Sequence, residues 1–312
     1  MEYQRYTPGP RRDRSYRRRQ LRRRRLLALA VVILVVAAIA LAVVLVTRGG
    51  GGSGTASAGP SGGESASSGA AGQTTSPAPK PATPPPKVWE ASASKPVRVW
   101  VGGDSMGGEL GWGLGPMLEN TRVLKPVLYY KDSTGICRWD FYDWGDKIAS
   151  VMRNDKPDAV VLMMGTNDTQ SVWQNGKWIA HGDPDWKRVY QKRVSDMTRT
   201  AIKGGARRVY WVGMPIMRES WRNPWMKSIN KLVQKAVAGV PGARYIDSWT
   251  LFADGDGKFV PSLRLGDGVH FTVEGQKIIG KAVLTAIKKD WLPNGVPTPE
   301  PQASASASAS AI

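Results

Sequence analysis

Three short islands carry residues whose types and spacing suit covalent acyl chemistry: Gly103-Asp104-Ser105, Gly165-Thr166-Asn167-Asp168 and Asp267-Gly268-Val269-His270. A serine hydroxyl is a weak nucleophile until a base takes its proton. The chain has only two histidines, His181 and His270. Asp267 stands three residues before His270, close enough for one turn to aim a carboxylate at the ring. His181 follows the turn-rich stretch Trp173-Gln174-Asn175-Gly176-Lys177-Trp178 with no such partner. Ser105 as nucleophile, His270 as base and Asp267 as its orienter is therefore the expected set. Such chemistry also needs fixed donors for a tetrahedral oxyanion. The Ser105 backbone N–H and the Asn167 amide are candidates, with Gly135 in Asp132-Ser133-Thr134-Gly135 as a third. Asp104 is expected to organise its turn rather than to react.

Those islands must be positioned by regular elements. Apolar strand-like runs fall near 97–101, 123–130, 159–164, 209–212 and 244–246. Helical faces lie between and after them. Tyr190, Val194, Met197 and Ala201 form one, and Ile229, Leu232, Val233, Ala236 and Val237 another, opened by Asn223-Pro224. Ile279, Val283 and Ile287 mark a last helix starting at Thr272. Alternating strand and helix patterns predict an α/β fold with a parallel sheet covered on both faces. Ligands of such sheets sit outside the carboxyl ends of the strands. Ser105 and Asn167 each follow a strand run, so both should lie on that edge.

At these residues the chain resembles the SGNH, or GDSL-type, hydrolase superfamily, named for a Ser, Gly, Asn and His in four blocks. Ser105 in Gly-Asp-Ser-Met matches the first block, Gly135 the second and Asn167 in Gly-Thr-Asn-Asp the third. Asp267 with His270 matches the last. The resemblance spans 97–292. It implies a three-layer, flavodoxin-like sandwich with five parallel strands and ester hydrolysis through an acyl-enzyme, without cofactor or metal. Ser105, Gly135 and Asn167 would form the oxyanion hole. Met106 follows the serine where leucine is frequent in the superfamily, at a position that varies.

The remaining sequence places this domain. Residues 1–25 carry eleven Arg against one Glu and one Asp, and 26–47 are uncharged and almost wholly apolar. At 1.5 Å per residue that run reaches across a bilayer core of about 30 Å, and it is too long for the usual signal-peptide core. A retained transmembrane helix is expected, with the N-terminus cytoplasmic by the positive-inside rule and the catalytic domain outside the cell membrane. The arginine block accounts for much of the net charge of +19, so no nucleic-acid partner is inferred. Residues 48–96, rich in Gly, Ser, Ala and Pro, read as a disordered tether, and 293–312 as a disordered Pro/Ala/Ser tail. One cysteine, Cys137, excludes an intramolecular disulfide and reads as structural. Asp254-Gly255-Asp256-Gly257 lacks the further spaced ligands of a calcium loop and reads as a turn.

Trp173, Trp178, Trp186, Trp221 and Trp225 fall in two segments able to wall the strand-end cleft. Trp173 and Trp178 are candidates to stack on sugar rings, and Arg218 to hold a substrate carboxylate or phosphate. The expected function is a membrane-anchored extracytoplasmic serine esterase removing a small acyl or O-acetyl group from a cell-envelope glycan. An O-acyltransferase with the same residues and a non-catalytic envelope-binding module are the alternatives. Sequence assigns no oligomeric state.

Overall fold

The computed structural model describes residues 84–297, all within one of two compact units, Pro77–Ile312. The basic segment, the apolar run 26–47 and most of the linker lie outside those residues, as does the Ala-Ser tail. No helix among the described residues is long and apolar enough to cross a membrane. In chain order the elements are β1 (Val97–Gly103), α1 (Ser105–Glu119), β2 (Leu124–Tyr130), α2 (Trp144–Asn154) and β3 (Ala159–Met163). Short strands β4 (Val172–Gln174) and β5 (Lys177–Ile179) follow, then α3 (Pro184–Lys203) and β6 (Arg208–Val212). The chain closes with α4 (Asn223–Ala238), β7 (Ala243–Ile246) and α5 (Val273–Trp291).

Five strands form one parallel sheet in the order β2-β1-β3-β6-β7. Every residue of β3 and β6 is buried, which is why Ala159–Met163 and 209–212 read as unbroken apolar runs rather than alternating ones. Arg208, at the start of β6, pairs with Asp290 at 3.1 Å. Helices α1 and α5 pack together on one face, while α3 packs between α2 and α4 on the other. The strand order reverses between β1 and β3. Such a sheet takes its ligand above the carboxyl ends at that point. Ser105 follows the end of β1 and Asn167 the end of β3.

Helix α1 is glycine-rich and was not expected from periodicity. Its glycines answer to close neighbours. A Cβ on Gly113 would stand 2.1 Å from the Gln276 carbonyl oxygen of α5, and one on Gly107 would stand 2.7 Å from that of Met163. Backbone-to-backbone approach thus sets α1 against both the sheet and α5, and tertiary packing overrides low helix propensity.

Two expectations are corrected and one is refined. Residues 84–96 do not all behave as tether. Ala91 is fully buried and donates its N–H to the Trp291 carbonyl at 2.8 Å, and the Trp89 ring meets that of Trp291 edge-on at 5.1 Å. Composition had changed at Lys87-Val88-Trp89, before the first strand. The stretch around Asn175-Gly176 is a β-hairpin, β4 against β5, with both turn residues at positive φ, 51° and 78°. Asn223 does not cap α4. Its side chain accepts from the Met217 N–H at 2.8 Å and donates to the Met217 carbonyl at 3.2 Å, bracing the loop after β6.

Candidate active site

Ser105 is the first residue of α1, and the turn before it is built around a buried carboxylate. Gly103 has φ 152° and a Cβ there would stand 1.9 Å from the Met163 carbonyl oxygen, so only glycine fits. Asp104 then caps α1, accepting the Met106 N–H at 2.9 Å. It also accepts the Gly165 N–H at 3.0 Å. One carboxylate therefore ties the end of β1 to the end of β3. Burial pushes the Asp104 carboxyl up to about 7, against the N–H donors of Gly165, Met106 and Gly107, which hold it down. Asp104 organises the turn and does not reach a reacting atom.

The third block is built the same way. Gly165, at φ 148°, releases β3 into the loop that carries Asn167 and Asp168. Asp168 is fully buried and accepts the N–H groups of Ile136 and Cys137, each at 2.9 Å, and the Tyr190 hydroxyl at 3.1 Å. It thereby docks the Gly135 loop onto the Asn167 loop. A Cβ on Gly135 would stand 2.2 Å from Asp168 Oδ1, which is the physical reason for glycine there. Burial raises the Asp168 carboxyl, while its N–H and O–H donors lower it. The Asn167 amide donates one N–H to the Thr134 carbonyl at 2.9 Å, which fixes its plane and leaves the second N–H to offer. Among the described residues no acceptor meets the N–H of Ser105 or of Gly135. These are the donors an oxyanion requires.

His270 is held on a loop just before α5. Its Nε2 lies 2.9 Å from Ser105 Oγ, and its Nδ1 lies 2.6 Å from Asp267 Oδ2. Asp267 Oδ1 accepts the N–H groups of Val269 at 2.9 Å and His270 at 3.0 Å. Burial acts to raise Asp267, but the His270 ring and those two N–H donors outweigh it and hold the carboxyl down at about 2. The result is a continuous relay from Asp267 through His270 to Ser105. It ends at the N-terminus of a 15-residue helix, whose dipole favours negative charge at that point.

Other expected residues fall into place around the relay. His181 packs against Trp225 at 4.3 Å and Trp186 at 4.6 Å, and burial with the Lys187 charge lowers its pKa. It takes no part in the relay. Trp186 is buried and stacks on Tyr190, so it belongs to the core rather than the cleft wall. Trp173 and Trp178 face each other across the hairpin, 5.1 Å apart and both exposed. Arg218 is drawn into the histidine loop. Its N–H donates to the Gly268 carbonyl at 3.3 Å and its Nη1 to that of Gly266 at 2.8 Å. That use of Arg218 was not foreseen, because the loops meet only in the fold. Cys137 is fully buried and burial pushes its thiol up, as suits a structural cysteine.

A serine–histidine–aspartate relay, with glycine and asparagine donors at the switch point of a five-stranded parallel sheet, is the arrangement that the resemblance to SGNH-type hydrolases implies. The family model described as "Protein of unknown function (DUF459)" matches residues 98–286, and the chain belongs to that family. Among solved structures it is similar to a proposed acylhydrolase from Bacteroides fragilis, at 19% identity over 64% of this chain and 90% of that one, TM-score 0.47. It is also similar to a proposed SGNH hydrolase from Slackia heliotrinireducens, at 16% over 62% and 99%, TM-score 0.45. A third is a catalytic mutant of the acetylxylan esterase Axe2 from Geobacillus stearothermophilus, at 15% over 61% and 94%, TM-score 0.44. No curated protein matches the chain.

Proposed function

We propose that this chain is a serine esterase that removes a small acyl group, such as O-acetyl, from a cell-envelope glycan. The observation that carries the reading is the relay itself, with Ser105 Oγ 2.9 Å from His270 Nε2 and His270 Nδ1 2.6 Å from Asp267. His270 takes the Ser105 proton as Oγ attacks the ester carbonyl. The oxyanion is met by the N–H groups of Ser105 and Gly135 and the Asn167 amide. Collapse expels the alcohol, protonated by His270, and leaves an acyl-serine. Water then repeats the sequence, releasing the acid and the free serine. Anchoring by the apolar run 26–47, with the basic segment inside, would place the domain outside the membrane on the tether.

Asn167→Ala is expected to lower kcat by roughly 10²–10³, the loss typical of one oxyanion donor. Steady-state kinetics on an activated ester check this. A change below about threefold would remove Asn167 from the hole.

The glycan side of the proposal draws on the hairpin. Trp173 and Trp178 are 40% and 53% exposed. Arg138 lies 5.6 Å from the Trp178 ring, paired with Asp140 at 2.8 Å, and donates to Gln170 Oε1 at 3.2 Å. Gln170 in turn donates to the Asn167 carbonyl at 2.6 Å. An aromatic platform with planar hydrogen-bonding groups beside it suits the apolar and polar faces of a sugar ring. Acetate release from an O-acetylated polysaccharide and p-nitrophenyl acetate hydrolysis are compared in Trp173→Ala and Trp178→Ala. Losing one indole contact of about 1–2 kcal/mol should raise KM for the polysaccharide roughly 5- to 30-fold and leave the small ester unchanged. Equal effects on both substrates would remove the sugar platform and leave a general esterase.

A further inference from the structure

Two buried charges hold the backbone on either side of His270, and neither belongs to the relay. Glu109 lies on α1 one turn beyond Ser105, only 5% exposed, and its Oε2 accepts the Phe271 N–H at 2.7 Å. Arg264, also 5% exposed, donates through Nη1 to the Val269 carbonyl and through Nη2 to that of Ile216 at 2.7 Å. Its guanidinium lies 4.6 Å from the Phe271 ring and 4.8 Å from that of Phe252. The residue before the base is thus held by a buried cation and the residue after it by a buried anion. Neutral side chains of the same shape could satisfy those backbone groups without the cost of burying charge, which is several kcal/mol per ion. The charges need a further reason.

We propose that Glu109 is a positioning residue for the ester chemistry, whose negative charge behind His270, balanced by Arg264, favours the imidazolium formed as Ser105 attacks. The inference rests on Ser105 and His270 acting as nucleophile and base. The charged groups facing the His270 loop are Asp267 on the loop itself, Glu109 from α1, Arg264 from the segment bridged to Phe271, and Arg218 from the loop after β6. Burial raises Glu109, while the Phe271 N–H and the His270 and Arg264 charges lower it. Burial lowers Arg264 to about 10, so it stays cationic at neutral pH. Removing the anion makes the imidazolium less favourable and moves the acid limb of the reaction to lower pH. Removing the cation moves it to higher pH.

The test is the pH dependence of Ser105 labelling by a fluorophosphonate, a readout independent of the natural substrate. Glu109→Gln keeps an acceptor for the Phe271 N–H and is expected to shift the acid limb down by about half a unit or more, with labelling slowed several-fold. Arg264→Met is expected to shift it up. Opposite shifts are not produced by a merely structural role, and a limb unmoved in either folded variant overturns the proposal. A wild-type protein that takes no label at all overturns the serine-nucleophile reading itself, a result distinct from an unshifted limb.

Discussion

Replacing Ser105 by alanine is expected to lower p-nitrophenyl acetate turnover by at least about 10⁴-fold, because the change removes the atom that forms the acyl bond. The variant should fold normally. The N-terminus of α1 is capped by Asp104, not Ser105, and the Asp104 bonds to Met106 and Gly165 survive the substitution. Ser105 Oγ is otherwise engaged with His270 Nε2, a contact an esterase breaks on every turnover. The measurement pairs the activity of Ser105→Ala with its thermal midpoint. An unchanged midpoint with turnover lost assigns the chemistry to Ser105. Turnover retained within about tenfold would place the nucleophile elsewhere and remove the acyl-enzyme from the mechanism.

The sequence made the reacting groups legible because Ser105 and Asn167 each stand where a strand pattern stops and the Asp267–His270 pair stands just before the last helical pattern. The parallel sheet brings the first two to one edge. What the sequence hid are the groups that dock those ends onto one another. Asp104 and Asp168 are ordinary acidic residues until the fold buries them and turns them onto the N–H groups of Gly165, Ile136 and Cys137. Gly135 is one glycine among 35, and its requirement is set by an Asp168 oxygen distant in the chain. The glycines of α1 misled for the same reason, since low propensity is a local property and their contacts with Met163 and Gln276 are not. The β4–β5 hairpin is a different case. Asn175-Gly176 is a strong two-residue turn signal, flanked by Val172-Trp173 and Trp178-Ile179. The stretch reads as turn-rich, and strands of three residues each are too short to show an alternating pattern beside that turn. Arg218 was visible as a cation, but its partners, the Gly266 and Gly268 carbonyls, belong to a loop that meets it only in three dimensions.

Asp267→Asn should cost about 10⁴-fold in kcat while leaving the loop nearly intact, because the loss comes from the wrong histidine tautomer. Asp267 presents Oδ1 to the backbone N–H groups of Val269 and His270 and Oδ2 to His270 Nδ1. An asparagine keeps the two backbone bonds through its single oxygen, which turns its NH₂ group toward the ring. Nδ1 must then accept, so the ring proton moves to Nε2. A protonated Nε2 faces Ser105 as a donor, and the serine has no base. The native carboxylate avoids this because it is acceptor-only, and it stays so over a wide range. A carboxyl held at about 2 lies below its unfolded value, so its stabilisation of the loop is present above that value. It is lost as pH falls through the window from roughly 4 to 2. In the variant this acid-dependent contribution is absent. Activity and acid unfolding of Asp267→Asn and the wild type are compared from pH 2 to 8. A wild-type loss of stability near pH 2–4 that the variant lacks, together with the deficit in kcat at pH 8, assigns both roles to one side chain. A variant within about tenfold of wild type would mean that His270 keeps its tautomer by other contacts, and Asp267 would then be a loop brace alone.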